Sequence, residues 1–395
     1  MSKTEKAYLD LIREVKEKGV RKSDRTGTGT VSIFGRTLRF DMREGFPLLT
    51  TKKIHHKAVV HELLWFLQGG HNIKYLVDNG VSIWNEWPWK AYMDEHENRK
   101  TALNISIDRS DIYDDTPFAV KHMKARLDEH PALTLPEFVD KIKNDDEFAK
   151  VWGELGPVYG KQWRQWQGWM EYGDNGQMGS LWFDQILTLL NDLRHNPDSR
   201  RLMVNAWNVA EIDKMLLPPC HYGFQCWTRE LTFKERRDLA HEYAIKNGLI
   251  PLAIHAYGDK GIPSYMDAID ATGWNIPKRG LSLMWQQRSV DMFLGLPFDL
   301  ASYGLLLSML AQCTNMVAEE LVFNGGDCHV YSNHFDQVDE LLSREPMPLC
   351  KLELARPANY YGSGVVPEPI ESYKYEDIKF VGYTSHPAIK APVAI

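Results

Sequence analysis

Of the five cysteines in this 395-residue chain, one is set apart by its neighbours. Cys220 stands between Pro218-Pro219 and His221 in the stretch Met215 to Trp227, MLLPPCHYGFQCW. The prolines fix the backbone ahead of the sulfur, so it can be aimed at an electrophile with little further loss of entropy. Beyond it, Tyr222, Phe224 and Cys226 alternate with Gly223, Gln225 and Trp227, the period of a buried strand. A cysteine at a strand entrance reads either as a small core residue or as a nucleophile. The second reading needs groups that favour thiolate over a thiol of pKa about 8.5, and groups that hold an electrophile above it.

Several stretches carry residue types suited to those tasks. Asp24-Arg25-Thr26-Gly27-Thr28-Gly29-Thr30 is a glycine-bearing loop with one guanidinium, open to reading as an anion cradle or a plain turn. Arg200-Arg201 and Arg288-Ser289 are further anion clamps or surface charges. Two adjacent arginines at a strand start point to opposite faces, so one chain's ligand should meet at most one of them. Glu62 enters the apolar run HELLWFLQGG, either as a salt-bridged carboxylate or as an acid of raised pKa. Ile83-Trp84-Asn85-Glu86-Trp87 is an aromatic cluster that packs a core or stacks on a flat ring. Asp299 opens the long apolar helix Leu300 to Cys313, as a dipole partner or a cap. His329 and Tyr331 lie two apart, on one face of a strand.

The elements that must position these groups follow from periodicity. Ser2-x-x-Glu5 has the form of a capping box, followed by Tyr8, Leu11, Ile12 and Val15 at helical spacing until Gly19. Val31 to Phe40 and Leu281 to Gln286 read as strands, and Leu181 to Leu193 as a buried helix ended by Asn196-Pro197. Two charged stretches, about 88–152 and 232–280, read as surface helical insertions, the second with a Thr232-x-x-Glu235 box. The apolar ending Ala391 to Ile395, APVAI, is expected to dock.

Composition narrows the class. With 44% hydrophobic residues the chain can bury a large core, and a net charge of −7 gives no basic field for a nucleic-acid backbone. The odd cysteine count, without a CxxC pair, argues against a disulfide framework or a zinc site. The charged N-terminal stretch lacks the apolar segment of a signal peptide or membrane span, so a cytoplasmic protein is expected.

In sequence order, DRTGTGT, FPLLTTKKIHHKAVVHELLWFLQG, IWNEW, LGPVYGKQWR, DSRRLMVNAWN, LPPCHYGFQ, QRSVDMFLGLPF, GDCHVYSNH and APVAI resemble the thymidylate synthase family. The resemblance implies a single α/β (α+β) domain over residues 1–395, with a large mixed or antiparallel sheet, surrounding helices and a symmetric homodimer formed through that sheet. Cys220 would add to C6 of a pyrimidine nucleoside monophosphate, and the activated C5 would attack the methylene of 5,10-methylenetetrahydrofolate. The resemblance assigns the phosphate to Arg25, Arg288 and Ser289, with Arg200 and Arg201 reaching in from the partner subunit. It assigns the sugar hydroxyl to His329 and Tyr331, proton handling to Glu62 and Tyr159, and the edge of the base to His221. The folate pocket falls to Ile83, Trp84, Leu217, Asp291, Gly295 and Phe298, closed by the tail that ends in Ile395.

One residue departs from the family pattern. Thymidylate synthases carry asparagine where this chain has Asp299, and that amide donates to uracil O4 while accepting from N3–H. Cytosine reverses both requirements: an aspartate can take the hydrogen of the exocyclic amine, and a shared proton on N3 or on the carboxyl completes the pair. The same aspartate occurs in the phage deoxycytidylate hydroxymethylases, the branch this chain most resembles. The expected reaction is hydroxymethylation of dCMP, with water completing the transfer in the cytoplasm of an infected cell. Methylation of dUMP or dCMP and hydroxymethylation of dUMP are the alternatives, because Trp84 and the closing tail are retained. A non-catalytic nucleotide- or RNA-binding regulator on the same fold would have a broken catalytic set, and here the set is whole.

Overall fold

The first helix, Lys3–Lys18, buries Tyr8, Leu9, Leu11, Ile12 and Val15 on one face, as their spacing requires. Its expected capping box does not form. Ser2 makes no side-chain cap, and Glu5 turns inward to accept four hydrogen bonds, from the backbone N–H and the hydroxyl of both Thr50 and Thr51, at 2.7–2.8 Å. A buried carboxylate is tolerable there because its oxygens are saturated with donors. The structure, a computed structural model, describes residues 2–24, 27–110, 132–172, 177–249, 261–355 and 369–393.

The strands are β1 Val20–Lys22, β2 Thr30–Asp41, β3 Trp166–Tyr172, β4 Gln177–Phe183, β5 Met203–Asn205, β6 His221–Glu230, β7 Arg279–Asp291, β8 Val317–Tyr331, β9 Lys351–Leu354 and β10 Ile378–Val381. Six of them form one mixed sheet in the order β1-β2-β8-β7-β6-β5. The β7–β8 pair is parallel and the others are antiparallel. Parallel neighbours need a crossover, supplied by the helix Gly295–Cys313. That helix is apolar on every side and fourteen of its residues are buried, so it forms the centre of the core under β7 and β8. Its length and composition would also suit a membrane span, but its burial marks it as a core helix.

Three readings are corrected. Leu181–Phe183 does not begin a helix: it ends β4, which pairs with β3 as a separate hairpin, and the helix Gln185–His195 starts after Asp184, whose carboxylate caps Leu187 N–H. The core helix begins at Gly295, so Asp299 lies inside it rather than at its end, and its carboxylate is not the cap. The first charged stretch is not confined to the surface. Its helices Leu135–Asn144 and Asp146–Trp152 place Phe138, Ile142 and Ala149 in the main core. Phe233–Lys246 and Gly261–Ala271, in the second stretch, pack a small core of their own around Tyr265 and Ile269, and the Thr232–Glu235 box forms.

The carboxylate of Glu5 ties the first helix to the loop that leads into the apolar helix His56–Leu67. Glu5→Ala leaves buried N–H and O–H donors without partners, and the expected loss is about 3 kcal/mol or more of unfolding free energy in urea. A loss below about 1 kcal/mol would show that this network is incidental.

Candidate active site

The carboxyl ends of the parallel strands β7 and β8 open into one cavity, where ligands collect in sheets of this kind. Antiparallel β6 starts beside the end of β7, with His221 opposite Gln287, so Cys220 arrives next to Arg288 and Ser289. The ladder continues one step further, because Arg288 N–H donates to Cys220 O at 2.8 Å. The Arg288 guanidinium then donates to Pro219 O at 2.9 Å and to Pro218 O at 3.0 Å, with its central carbon 5.2 Å from the ring centre of Trp207. From the other side, Cys220 N–H donates to Tyr159 Oη at 2.8 Å. Tyr159 is delivered by the turn at Gly156, where φ is +80° and a Cβ would lie 2.0 Å from Lys214 O, so only glycine lets the two chains pass.

Cys220 is half-buried and reaches the cavity. The other four cysteines are buried, and desolvation pushes Cys226 and Cys328 up to about 12 and Cys313 and Cys350 up to about 11. They remain thiols at neutral pH, which leaves Cys220 as the sulfur placed for nucleophilic work.

The cavity, about 710 Å3, is lined by titratable groups whose charges burial suppresses. Glu62 is pushed up to about 8 by burial, partly opposed by the 2.7 Å bond it accepts from Trp84 Nε1. Asp299 is likewise pushed up to about 7 by burial, against a 2.7 Å bond from Gln287 Nε2 to its Oδ2. Burial pulls His221 down to about 3, so its imidazole is neutral; Nδ1 pairs with Tyr303 Oη at 2.8 Å, and Nε2 faces Asp299 Oδ1 at 3.8 Å. Burial also raises Tyr159 well above its ordinary value, with Cys220 and Asp299 adding to it, and its ring stacks on His221 at 4.2 Å. Below about pH 7, then, two carboxyls and a phenol hold protons around a neutral imidazole. Such a set can give and shuttle protons but carries little charge of its own.

The opposite end of the cavity is polar. His329 and Tyr331 both line it, with rings edge to face at 5.1 Å. Burial pulls the His329 imidazole down, but Asp327 more than compensates, through its carbonyl at 3.1 Å from Nδ1 and its carboxylate at 3.5 Å, and the net shift is upward. Asp327 is held well below the usual carboxylate range by His329, and by Lys22 Nζ at 2.5 Å.

Most of the residues singled out by sequence converge here: Cys220, His221, Glu62, Tyr159, Asp299, Arg288, Ser289, His329, Tyr331, Ile83, Trp84, Leu217, Asp291 and Gly295 all line the cavity. Phe298 does not, since its ring packs against the core. Arg200 and Arg201 are exposed ahead of β5 and stand away from their own chain's cavity wall. Arg25 and Ile395 lie outside the described residues, although Val393 reaches the cavity. Asp291 has a structural task as well, accepting from Phe293 and Leu294 N–H where β7 turns into the core helix. Sequence reasoning missed Gln287, which holds Asp299, and Tyr303, which holds His221. Gln287 had a signal, being two residues from Ser289 on the same strand face; Tyr303 looked like one more core aromatic.

A family model described as "Thymidylate synthase" matches residues 6–244 and 265–395. Among curated proteins, one named thymidylate synthase from Mycoplasma mobile is 40% identical over 388 residues, covering 98% of this chain and 99% of its own length. Proteins of the same name from Mesoplasma florum and Malacoplasma penetrans are 38% and 39% identical over 390 residues, covering 99% of this chain and all of their own length.

The raised carboxyls fix how stability varies with pH. The folded chain keeps protons on Glu62 and Asp299 up to about pH 8 and 7, whereas the unfolded chain releases them near pH 4. The native state therefore binds the extra protons, and stability falls as pH rises through that window. Urea midpoints are expected to decline from pH 5 to pH 8, and Glu62→Gln to flatten the slope by up to about 1.4 kcal/mol per pH unit. An unchanged slope in that variant would mean that Glu62 is ionised in the folded protein.

Proposed function

This chain belongs to the thymidylate synthase family, one-carbon transferases that act on pyrimidine nucleotides, and we propose that it methylates C5 of dUMP. Members of the family use 5,10-methylenetetrahydrofolate, which supplies a carbon at the formaldehyde level and, for a methyl product, the hydride that reduces it. The residues present fit such a cosubstrate: Trp84, Trp87 and Leu217 give the cavity a flat apolar wall for a fused ring.

The observation that carries the proposal is the cavity in front of Cys220, on whose wall burial keeps protons on Glu62 and Asp299. The Cys220 sulfur adds to C6, and the electron pair displaced from the C5–C6 bond makes C5 nucleophilic. Glu62, kept protonated by burial, can donate to the carbonyl that gains charge, and Tyr159 beside Cys220 is placed to help move the proton that leaves C5. The wall formed by Trp84 and Leu217, with Val393 at the rim, excludes water from the transferred carbon and favours hydride over hydroxide. Ser289 and the remaining N–H groups of Arg288 serve the phosphate, while His329 and Tyr331 serve the sugar.

Asp299 is compatible with uracil because burial keeps its proton. A neutral carboxyl presents one O–H donor and one C=O acceptor, the same pair an amide offers to O4 and N3–H. Gln287 donates to Oδ2, which leaves Oδ1 to carry the hydrogen. The same neutral group can turn its donor to N3 of cytosine and accept from the exocyclic amine. A carboxyl at this position therefore favours a second reading, hydroxymethylation of dCMP, in which water takes the place of the hydride and tetrahydrofolate leaves.

Arg200 and Arg201 are proposed to complete the phosphate site of a partner subunit in a homodimer, the assembly typical of the family. Their exposure supports this, as does the row Met203, Gln225 and Trp227 on the sheet face away from the core helix, with Met203 and Trp227 exposed. Light scattering at assay concentration should give a dimer, and an active monomer would contradict the shared site.

Incubation with methylenetetrahydrofolate and either nucleotide separates the two reactions. With dUMP, mass spectrometry should find a methylated product and absorbance should report dihydrofolate. A preference for dCMP, with a hydroxymethyl product and no dihydrofolate, would overturn this reading in favour of the second. Ionisation of Asp299 removes the donor that uracil O4 needs, so kcat/KM for dUMP should fall above about pH 7, by about tenfold per unit at the limit. Asp299→Asn should move the onset of that decline up to about pH 8, where Glu62 ionises.

A further inference from the structure

The chain after β10 returns to the cavity along a path held at three points that no catalytic step uses. His386 N–H donates to Thr50 O at 2.8 Å. Arg344 Nη1 donates both to Thr51 O at 2.9 Å and to Pro387 O at 2.7 Å. At the far end, His334 Nε2 lies 2.7 Å from Pro392 O. The next residue, Val393, lines the cavity.

We propose that His334 is a positioning residue that latches the C-terminal segment, so that Val393 is held in the cavity wall on its folate side. His334 is fully buried in the Ser332-Asn333-His334 turn that follows β8. A backbone carbonyl can only accept, so the hydrogen must sit on Nε2. Nδ1 is buried without a hydrogen-bond partner. A phenylalanine would fill the same position against Phe293 and Tyr331, each 5.6 Å away, without that unpaired nitrogen. What the imidazole adds is one donor, aimed at the tail. Proline fixes φ at 387 and 392, so anchoring these two carbonyls leaves the short stretch between them few alternative paths. Contact with Tyr331, on the nucleotide side, and with Phe293, whose carbonyl accepts from the buried Lys52, ties the latch to both ends of the cavity.

The naming of the folate side rests on the functional reading above, whereas the latch itself does not, and two measurements keep them apart. Without substrate, carboxypeptidase should release the last residues of His334→Phe on the order of tenfold faster than those of the wild type, with His334→Gln, which retains a donor, close to the wild type. Equal release rates in the wild type and His334→Phe would overturn the latch, whatever the reaction is. In turnover, His334→Phe should raise KM for methylenetetrahydrofolate on the order of tenfold with nucleotide Kd unchanged, and His334→Gln should recover most of the loss. Faster release with an unchanged folate KM and kcat would overturn the role assigned to it. A wild type that turns over neither dUMP nor dCMP would instead refute the functional reading and leave the carboxypeptidase result standing.

Discussion

The site depends on how the start of β6 is fastened to the end of β7. Arg288 supplies the fastening, through its backbone N–H to Cys220 and its guanidinium to the two proline carbonyls. Prolines have no N–H to offer, so the turn before Cys220 can be held only through its carbonyls, and one planar guanidinium reaches both. Once that corner is set, antiparallel pairing fixes His221 opposite Gln287, and the parallel partner β8 brings His329 opposite Asp291. The crossover helix between β7 and β8 then sets Asp299 against Gln287 from below. The places of Cys220, Asp299 and the His329–Tyr331 pair are thus consequences of three adjacent strands and the helix they enclose.

Burial does the electrostatic work. Glu62, Asp299 and His221 each lose their charge because the cavity floor is the protein core, and each keeps a hydrogen-bond partner that fixes its direction: Trp84, Gln287 and Tyr303 respectively. Such an arrangement lowers stability at alkaline pH but keeps protons on the cavity wall. It also changes what Asp299 offers, since a neutral carboxyl is a donor and an acceptor at once.

Much of this was legible in the sequence, for stated reasons. The helix at 3–18 and the strands around 31–40 and 281–286 announced themselves by period, and the Pro-Pro-Cys-His corner by its composition. The β3–β4 hairpin was not legible, because Leu181-Trp182-Phe183 runs into Ile186, Leu189, Leu190 and Leu193 as a single apolar series, and only the cap at Asp184 separates strand from helix. Ser2 and Glu5 had the spacing of a capping box, yet the partners of Glu5 lie 45 and 46 residues away, where local pattern cannot point. For Asp299 the sequence leaves open whether the shared proton sits on the base or on the carboxyl. Its protonation depends on burial and on Gln287, which only the packed structure brings together.

The central claim is that Cys220 forms a bond to C6 of the pyrimidine. Replacing the C5 hydrogen of dUMP by fluorine stalls the reaction after carbon transfer, because fluorine cannot leave as a cation, and the adduct accumulates. Denaturing digestion of the enzyme incubated with 5-fluoro-dUMP and methylenetetrahydrofolate, followed by peptide mass spectrometry, reads the bond directly. The account predicts nucleotide and folate mass together on Cys220, located by fragmentation within the peptide that also holds Cys226, and no such mass on Cys226, Cys313, Cys328 or Cys350. An unmodified Cys220 peptide, or an adduct on another cysteine, would contradict it.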